Sequence, residues 1–512
     1  MADNELRKTK AFYDNVYGFV FLTEEEYKLI DSLYFHRLRW LNQLGMAFYA
    51  FPGAIHNRFS HSVGVLQIVN LIVENLRRVD KQVVNAEIEG ILRLTALLHD
   101  IGHYPLSHTI EQAYKWDFAR NELEMEKKKK KDRTLDAQGR KVEPRQPLDF
   151  LGNPTNLNEF FDNGLTGEEE ERFGHCTAHH EKFAQVIIRT NGFKNMLNGC
   201  GFDLEGTGII DKTSSAIDGG WGYAPLVASM INSLVDADSL DYVIRDAYST
   251  GVKLGIYDLD NILRQVTLAR GPEPDEIPLE DMGDEYTCLG FELESMQSIE
   301  NFILAKYHWY TQIIYNHRVL IYDEIAKYFY FHLLRRKDKV VYGFNDLISL
   351  ADDEGAFMKF NDHYFWEKVR EIRDEEKGTI MGKMARALVE RVNPKHVDFS
   401  EWGGIGIIGA DLGKRLMSDK YVARDKKEAM DLKREFLERC KNLDDKSKLG
   451  FVKSRDIFKH YDRRLVERST VRMGKDKNWQ DIHDVSDLLK CHNNQVLIRF
   501  AVYDFSRVLA DE

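Results

Sequence analysis

Proline and cysteine are both scarce in this chain. Ten prolines in 512 residues leave long stretches unbroken, which favours extended helices, because an interior proline removes a helical hydrogen bond and clashes with the turn before it. The five cysteines, Cys176, Cys200, Cys288, Cys440 and Cys491, are odd in number and scattered. They form no CxxC pair, which argues against a disulfide framework or a structural zinc ribbon and fits a reducing cytoplasm. No run approaches the roughly 18 consecutive apolar residues of a membrane-spanning helix, and the opening MADNELRKTK lacks the apolar core of a secretory signal. Positive charge is also in deficit: the net charge is −12, so no global field draws nucleic acid or an anionic membrane to the protein. A phosphate would have to be met by a local basic pocket, which favours a small anionic substrate over a long polymer.

What is present is ample core material, 43% hydrophobic residues with 30% charged. At roughly 100–200 residues per domain the length allows two to four domains, or one large core with insertions. Helical spacing is clear over residues 63–76, 88–98, 226–248 and 297–334. Strand-like runs are few, at 340–344 and 495–503, and there is no internal repeat. The fold class expected is therefore mostly α, with a smaller mixed α/β region at the C-terminal end. Residues 115–174 break the pattern. They are polar and charged, include five lysines in a row at 127–131, and read as an insertion. A solvated surface excursion is the plainer meaning of such a charge run; a lid or phosphate-attracting flap is the sharper one, since the segment lies between two histidine clusters. The resulting division is 1–114 and 175–335 as two halves of one helical core, 115–174 as the insertion, and 336–512 as the α/β region.

Three clusters carry chemistry. The first is His56-Asn57-Arg58-Phe59-Ser60-His61; the second, LLHDIGHYPLSH, holds His99, Asp100, His103 and His108; the third, DADSLDYVIRDAYSTGV, holds Asp238. An apolar run that ends in adjacent His and Asp buries a carboxylate beside an imidazole, which is costly unless a cation lies between them. Nitrogen and oxygen ligands together suit Mn, Mg, Fe or Zn. Gly102 and Pro105 then turn the chain, bringing His103 and His108 toward the same pocket. Asp238, Tyr242 and Asp246 are spaced i, i+4, i+8 and share one helix face, so Asp238 can ligate while the other two face a ligand. Asp241 and Arg245 read as a surface or structural ion pair, and Asp236 as structural. Arg58, three residues before His61, is placed to grip a phosphate oxygen.

In order, His61, His99-Asp100 and Asp238 match the signature of the HD superfamily. The longer blocks FHRLRWLNQLG, FPGAIHNRFSHSVGV, LLHDIGHYPLSH, DADSLDYVIRDAYSTGV and YNHR resemble the deoxynucleoside triphosphate triphosphohydrolases, over residues 30–320 less the insertion. That resemblance implies an HD helical core. It implies a divalent ion on His61, His99, Asp100 and Asp238; acid–base chemistry at His108, with His103, Glu111 and His180 around it; and Arg58 on the phosphate next to the sugar. It also implies Gln43 and Leu44 at deoxyribose and base, Tyr242, Asp246 and Tyr315 against the sugar, and His317 lining the pocket. Asp31 and Arg39 match positions of an allosteric nucleotide site. The chain departs from the pattern at Ser239 and Tyr307, where cations are expected, although Lys306 adjoins the second, and at Glu111, where aspartate is usual. His175 and His179, spaced i, i+4, could also mimic a zinc pair.

The function implied is hydrolysis of a dNTP to deoxynucleoside and triphosphate by a homo-oligomer, dimer or tetramer, with a nucleotide as possible activator and no membrane partner. A nuclease or other phosphoesterase on the same metal site, with the lysines gripping nucleic acid, is the less favoured alternative. A non-catalytic nucleotide sensor is the third.

Overall fold

The computed structural model describes residues 6–79, 84–131, 153–217, 225–270, 287–407, 412, 415–416, 418–456, 470–473, 478–491 and 495–510. The fold is mostly α-helical. An N-terminal antiparallel hairpin, β1 (Lys10–Asp14) and β2 (Gly18–Leu22), pairs Asp14 with Gly18 across its turn. It leads to the long helix α1 (Arg58–Val79) and to α2 (Ala86–Leu98), which pack on each other. Asn85 caps α2 by accepting a hydrogen bond from the Ile88 amide, satisfying a donor that has no partner inside the helix. After a turn come α3 (His108–Lys131), α4 (His180–Arg189), α5 (Ala237–Thr250), α6 (Met296–Trp309) and α7 (His317–Leu334). α5 packs across α1, and α7 along α3.

Two expected helices are each two. The 226–248 stretch splits into Pro225–Ile231 and α5, because Asp236 folds back to accept from the amides of Ser239 and Ser233 and so starts a new helix. The 297–334 stretch passes from α6 through a π-helical turn, Tyr310–Ile314, before Asn316 caps α7. The strand expected at 340–344 does not form: Gly343 precedes the helix Phe344–Leu350. The strand expected at 495–503 is present as Val496–Asp504, fully buried over most of its length.

The described limbs of the charged insertion are anchored at both ends to the core, while its helix Gly167–Arg172 buries no residue. Its first limb is the continuation of α3, where Trp116 and Ala119 are buried and Asp117 and Glu124 pair with Arg335, the C-terminal cap of α7. Its last limb returns at Leu157–Phe160, with Leu157 and Phe160 in the main core. The backbone of the lysine run forms the last turn of α3; residues 132–152, where a lid would extend, lie outside the described residues.

Residues beyond 336 contribute to two cores. The helices Phe344–Leu350, Asp362–Glu375 and Ile380–Glu390 put Leu347, Phe365, Met384 and Leu388 into the same core as α1 and α2. A second core begins with Val397 and Trp402 and gathers Leu432, Phe436, Ile498 and Phe500. It underlies a sheet in which Val496–Asp504 lies antiparallel to Lys395–His396, Lys420–Ala423 and Lys448–Asp456. Ala501, Tyr503 and Phe505 join the main core, so this strand and the residue after it belong to both. A further sheet pairs Val266–Arg270 with Thr287–Glu292, inside a region the sequence presents as helical.

Candidate metal centre

α1, the end of α2 and the first turn of α5 converge on one point, where His61 and His99 are buried and Asp238 is partly open to solvent. The side-chain ligand atoms of His61, His99 and Asp238 all lie within 4.8 Å of one another. His61 Nε2 is 3.3 Å from His99 Nε2 and 2.9 Å from Asp238 Oδ1. Asp100 brings its oxygens to 3.6 Å from His61 Nε2 and 3.5 Å from His99 Nε2. The four residues expected to hold a metal are thus together.

The tautomers test whether a cation fits. His99 Nδ1 lies 2.9 Å from the Ala96 carbonyl, which can only accept, so that nitrogen carries the proton. His61 Nδ1 lies 2.7 Å from Asp241 Oδ2 and donates to that carboxylate. With Nδ1 so engaged, the two Nε2 atoms point toward each other and toward carboxylate oxygens, an arrangement that attracts positive charge, a proton or a cation. Burial opposes a charged His61, yet the hydrogen bonds of Asp238 and Asp241 and the field of Asp100 push its pKa up to about 10, and a divalent ion on Nε2 would replace that proton. The donor set suits a borderline divalent ion, and Asp241 stands where an outer partner would orient the His61 imidazole.

A second cluster adjoins the first. His103, His108, Glu111 and His180 bring their ligand atoms within 4.8 Å. Glu111 Oε2 accepts from His108 Nδ1 at 2.8 Å and is 3.2 Å from His180 Nδ1. His103 stacks on His180 at 4.1 Å between ring centroids. Burial raises the Glu111 carboxyl, but His180 and His108 hold it well below the carboxylate range. His180 is raised, because Glu111 outweighs its burial; His103, buried and facing Arg58 and His180, is pushed well down and is neutral. His108 is the open member, its side chain 65% exposed. It starts α3 just after Leu106 and Ser107, two non-glycine residues with positive φ (52° and 54°), a strained turn of the kind that clusters at functional sites. The two clusters meet where Asp100 Oδ1 accepts from His103 Nε2 at 3.1 Å.

Arg58 is buried against this junction. Its Nη1 is 2.8 Å from Asp100 Oδ2, its Nε donates to Ser107 Oγ and its Nη2 to the Gln43 carbonyl. Burial would raise the Asp100 carboxyl, but Arg58, His99 and His103 hold it well below its usual range. Beside them the Gln43 Oε1 is buried with no hydrogen-bond partner, and Leu44 is buried with Ala47, Ile313 and Val319.

The expected sugar-side residues divide. Tyr242 is half-buried against Trp309, 4.9 Å between rings. Asp246 does not face a ligand. It is wholly buried, with one oxygen 2.6 Å from His56 Nε2 and the other accepting from Trp309 Nε1 at 2.8 Å, and so it positions those two rings. Tyr315 is covered by Tyr310 and Leu497. His317 stands against the C-terminal sheet, 4.9 Å from His396, with burial and then His396 lowering its pKa to about 4. Ser239, where a cation was expected, is buried and donates its amide and hydroxyl to Asp236, the N-terminal cap of α5. Lys306 lies 5.8 Å from the Tyr242 ring; burial and then Asp238 raise the Asp236 carboxyl to about 6, against the opposing charge of Lys306. Asp31 is the C-terminal cap of the helix Glu24–Ile30, 3.3 Å from His36, and Arg39 lies 3.4 Å over the Phe59 ring. His175 and His179 stand 5.1 Å apart by ring centroid, but the group that brings ligand atoms together is His179, His180 and Glu181.

The sequence assigns no role to His56 or Trp309; Asp241 and Arg245 form the structural ion pair expected of them, and Asp241 also reaches His61. Asp241 was findable, since it lies one helical turn beyond Asp238 on α5.

The model of the HD domain matches residues 58–142. The chain carries an HD domain. Its histidine–aspartate pair at the end of α2 lies inside that match. An uncharacterized protein of Methanocaldococcus jannaschii is 26% identical over 365 residues, which is 70% of this chain and 57% of that protein. The deoxynucleoside triphosphate triphosphohydrolase SAMHD1 of Xenopus laevis is 38% identical over 104 residues, 20% of this chain and 16% of the frog protein. The chain thus spans little more than half of the first and a small part of the second. The solved structure of a phosphohydrolase from Bacteroides thetaiotaomicron shares the fold across 97% of this chain and 99% of its own, with a TM-score of 0.59 at 17% identity.

Proposed function

We propose that the protein is a metal-dependent phosphohydrolase that cleaves a deoxynucleoside triphosphate to deoxynucleoside and inorganic triphosphate. The observation that carries this reading is the contact between its two clusters: a set of metal-ligand type, His61, His99, Asp100 and Asp238, shares Asp100 with an acid–base set whose open member is His108. The short stretch of likeness to SAMHD1 supports the choice of substrate.

His61, His99, Asp100 and Asp238 would hold the ion, which when bound supplies Lewis-acid charge to a phosphate oxygen. Arg58 has two N–H donors beyond its contacts with Asp100, Ser107 and Gln43, and these bind the phosphate next to the sugar. Glu111 engages His108 at Nδ1, so Nε2 is the nitrogen that moves a proton. Water attacks the first phosphorus as His108 Nε2 takes its proton, the bond from phosphorus to the 5′ oxygen breaks, and His108 passes that proton to the oxygen as the deoxynucleoside leaves. Tyr242 and Trp309 offer an aromatic wall for the nucleoside, and the Gln43 Oε1 an unused acceptor. Lys306 takes part of the role of the cations missing at 239 and 307.

The test is incubation of protein loaded with Mn, Mg, Fe or Zn with each dNTP and NTP, singly and mixed, with products separated by chromatography and His108→Ala as control. Deoxynucleoside plus triphosphate, lost in the variant, is expected. Turnover only in mixtures would place an activator nucleotide on the protein, for which Asp31 and Arg39 are the candidates, and a nucleotide-dependent oligomer would accompany it. No turnover of any dNTP with any of these ions overturns the reading and points to nucleic acid or another phosphoester.

A further inference from the structure

The ligating imidazole of His61 is the inner end of a chain of buried charges that reaches the N-terminal hairpin. Asp241 Oδ2 accepts from His61 Nδ1 and also from Arg245 Nε at 2.8 Å. Arg245 uses all five of its N–H donors: Nε and Nη2 on Asp241, Nη2 and Nη1 on Asp14 at 3.2 and 2.9 Å, and Nη1 on Asn15 at 3.4 Å. Asp14, Arg245 and Asp241 are each at most 3% exposed. Asp14 ends β1, and its Oδ1 also accepts from the amides of Val16 and Tyr17, so the hairpin turn itself holds the carboxylate in place. Tyr17 covers the guanidinium at 5.7 Å. Gly64, one turn after His61 on α1, makes the approach possible, since a Cβ there would collide with Asp241 and Arg245.

A guanidinium shared by two carboxylates is only half committed to either. With Asp14 charged, Asp241 keeps enough negative charge to orient His61 and strengthen its Nε2 as a donor toward a cation. With Asp14 neutral, Arg245 turns its full charge on Asp241, and the imidazole loses basicity and a fixed orientation. Outer partners of this kind commonly change metal affinity by about 10–100-fold. We infer that Asp14, Arg245 and Asp241 are positioning residues for the metal centre, and that the N-terminal hairpin sets the affinity of the centre for its divalent ion through them. The inference rests on the reading of His61, His99, Asp100 and Asp238 as metal ligands.

The test is Mn2+ binding by calorimetry to the metal-stripped full chain, with metal-free melting recorded in parallel. Asp14→Asn removes the charge and keeps one oxygen for the hairpin-turn amides and Arg245 Nη2, while its NH2 takes the place of the oxygen that accepts from Arg245 Nη1. A Kd about tenfold weaker than wild type is expected, with folded protein by circular dichroism. A purely structural Asp14 would lower the melting temperature and leave Mn2+ affinity of the folded protein unchanged, and that result overturns the inference. If Asp14→Asn does not fold, Asp14→Glu, which keeps the charge but displaces it by a methylene, is read instead: weaker Mn2+ binding supports the relay and equal binding overturns it. Failure of the metal centre is a different result, in which wild type binds no divalent ion or His99→Ala binds it as tightly as wild type.

Discussion

Gly102 lies so close to the carbonyl of His180 that a single methyl group on it would collide with that oxygen and with the Ala184 backbone. Two residues after the His-Asp pair, the turn is thus pressed against α4, the helix that delivers the second cluster. Gly102→Ala must move one backbone or the other. We expect a stability loss of about 1–3 kcal/mol, the usual cost of overpacking, together with a fall in activity larger than the stability loss explains, because His180 shifts relative to Glu111. Urea unfolding and kcat at a temperature where the variant is fully folded separate the two effects. Wild-type kcat in a stable variant would contradict the close-packing account.

Asp100 sits between Arg58 and the imidazoles of His61, His99 and His103. Asp100→Ala leaves Arg58 buried without its partner, a loss on the order of 3–5 kcal/mol, and removes one ligand. The bound-metal content, measured by elemental analysis after dialysis, is expected to fall below that of Asp100→Asn, which keeps one oxygen for Arg58. Both variants are expected to be inactive on any substrate of the wild type.

Glu111 holds His108 and His180 on one oxygen, and its charge keeps His180 raised. Glu111→Gln keeps the shape and removes the charge. The group at His180 then binds its proton less tightly, so any limb of the kcat profile that reports it moves to lower pH. Proton transfer through His108 loses its anchor, and a fall of about 10²–10⁴-fold in kcat is expected. A pH–rate profile identical to wild type would exclude this role.

His332 donates from Nε2 to the Phe160 carbonyl at 2.8 Å, clamping the returning limb of the insertion onto α7, and burial lowers its pKa to about 4. An imidazole with its folded value depressed from about 6.5 stabilises fully above that pH, and the contribution is lost as pH falls from 6.5 through 4, because the unfolded chain takes up the proton first. The loss across that window is about 3 kcal/mol. Denaturant unfolding at pH 7 and pH 4.5 is expected to show a smaller acid loss in His332→Gln than in wild type.

The mostly helical fold and the meeting of the candidate ligands were both legible in the sequence. A buried His-Asp pair has few structural uses, and Asp238 falls on the helical spacing that brings it beside them. Asp246 had the same spacing as Tyr242 and yet lies behind it, because periodicity assigns a face but not the partners waiting there; Trp309 and His56 come from distant segments and claim both its oxygens. Trp116 and Phe160 were read as parts of a charged surface segment because neighbouring glutamates and lysines dominated the window, while a few apolar side chains fixed both limbs. The breaks at Asp236 and Asn316 were hidden in continuous apolar periodicity, since a capping side chain can start a new helix without interrupting it.

The strand Val496–Asp504 closes the main core with Ala501 and Tyr503 while also building the C-terminal sheet. During synthesis the helices that carry the histidines emerge long before it, so their apolar faces wait, partly bare, for a segment near the far end of the sequence. Such late, long-range closure slows folding and exposes aggregation-prone surface to the cell. A fragment cut at the edge of the HD match would leave that surface bare permanently, and in this protein the domain is not a portable module.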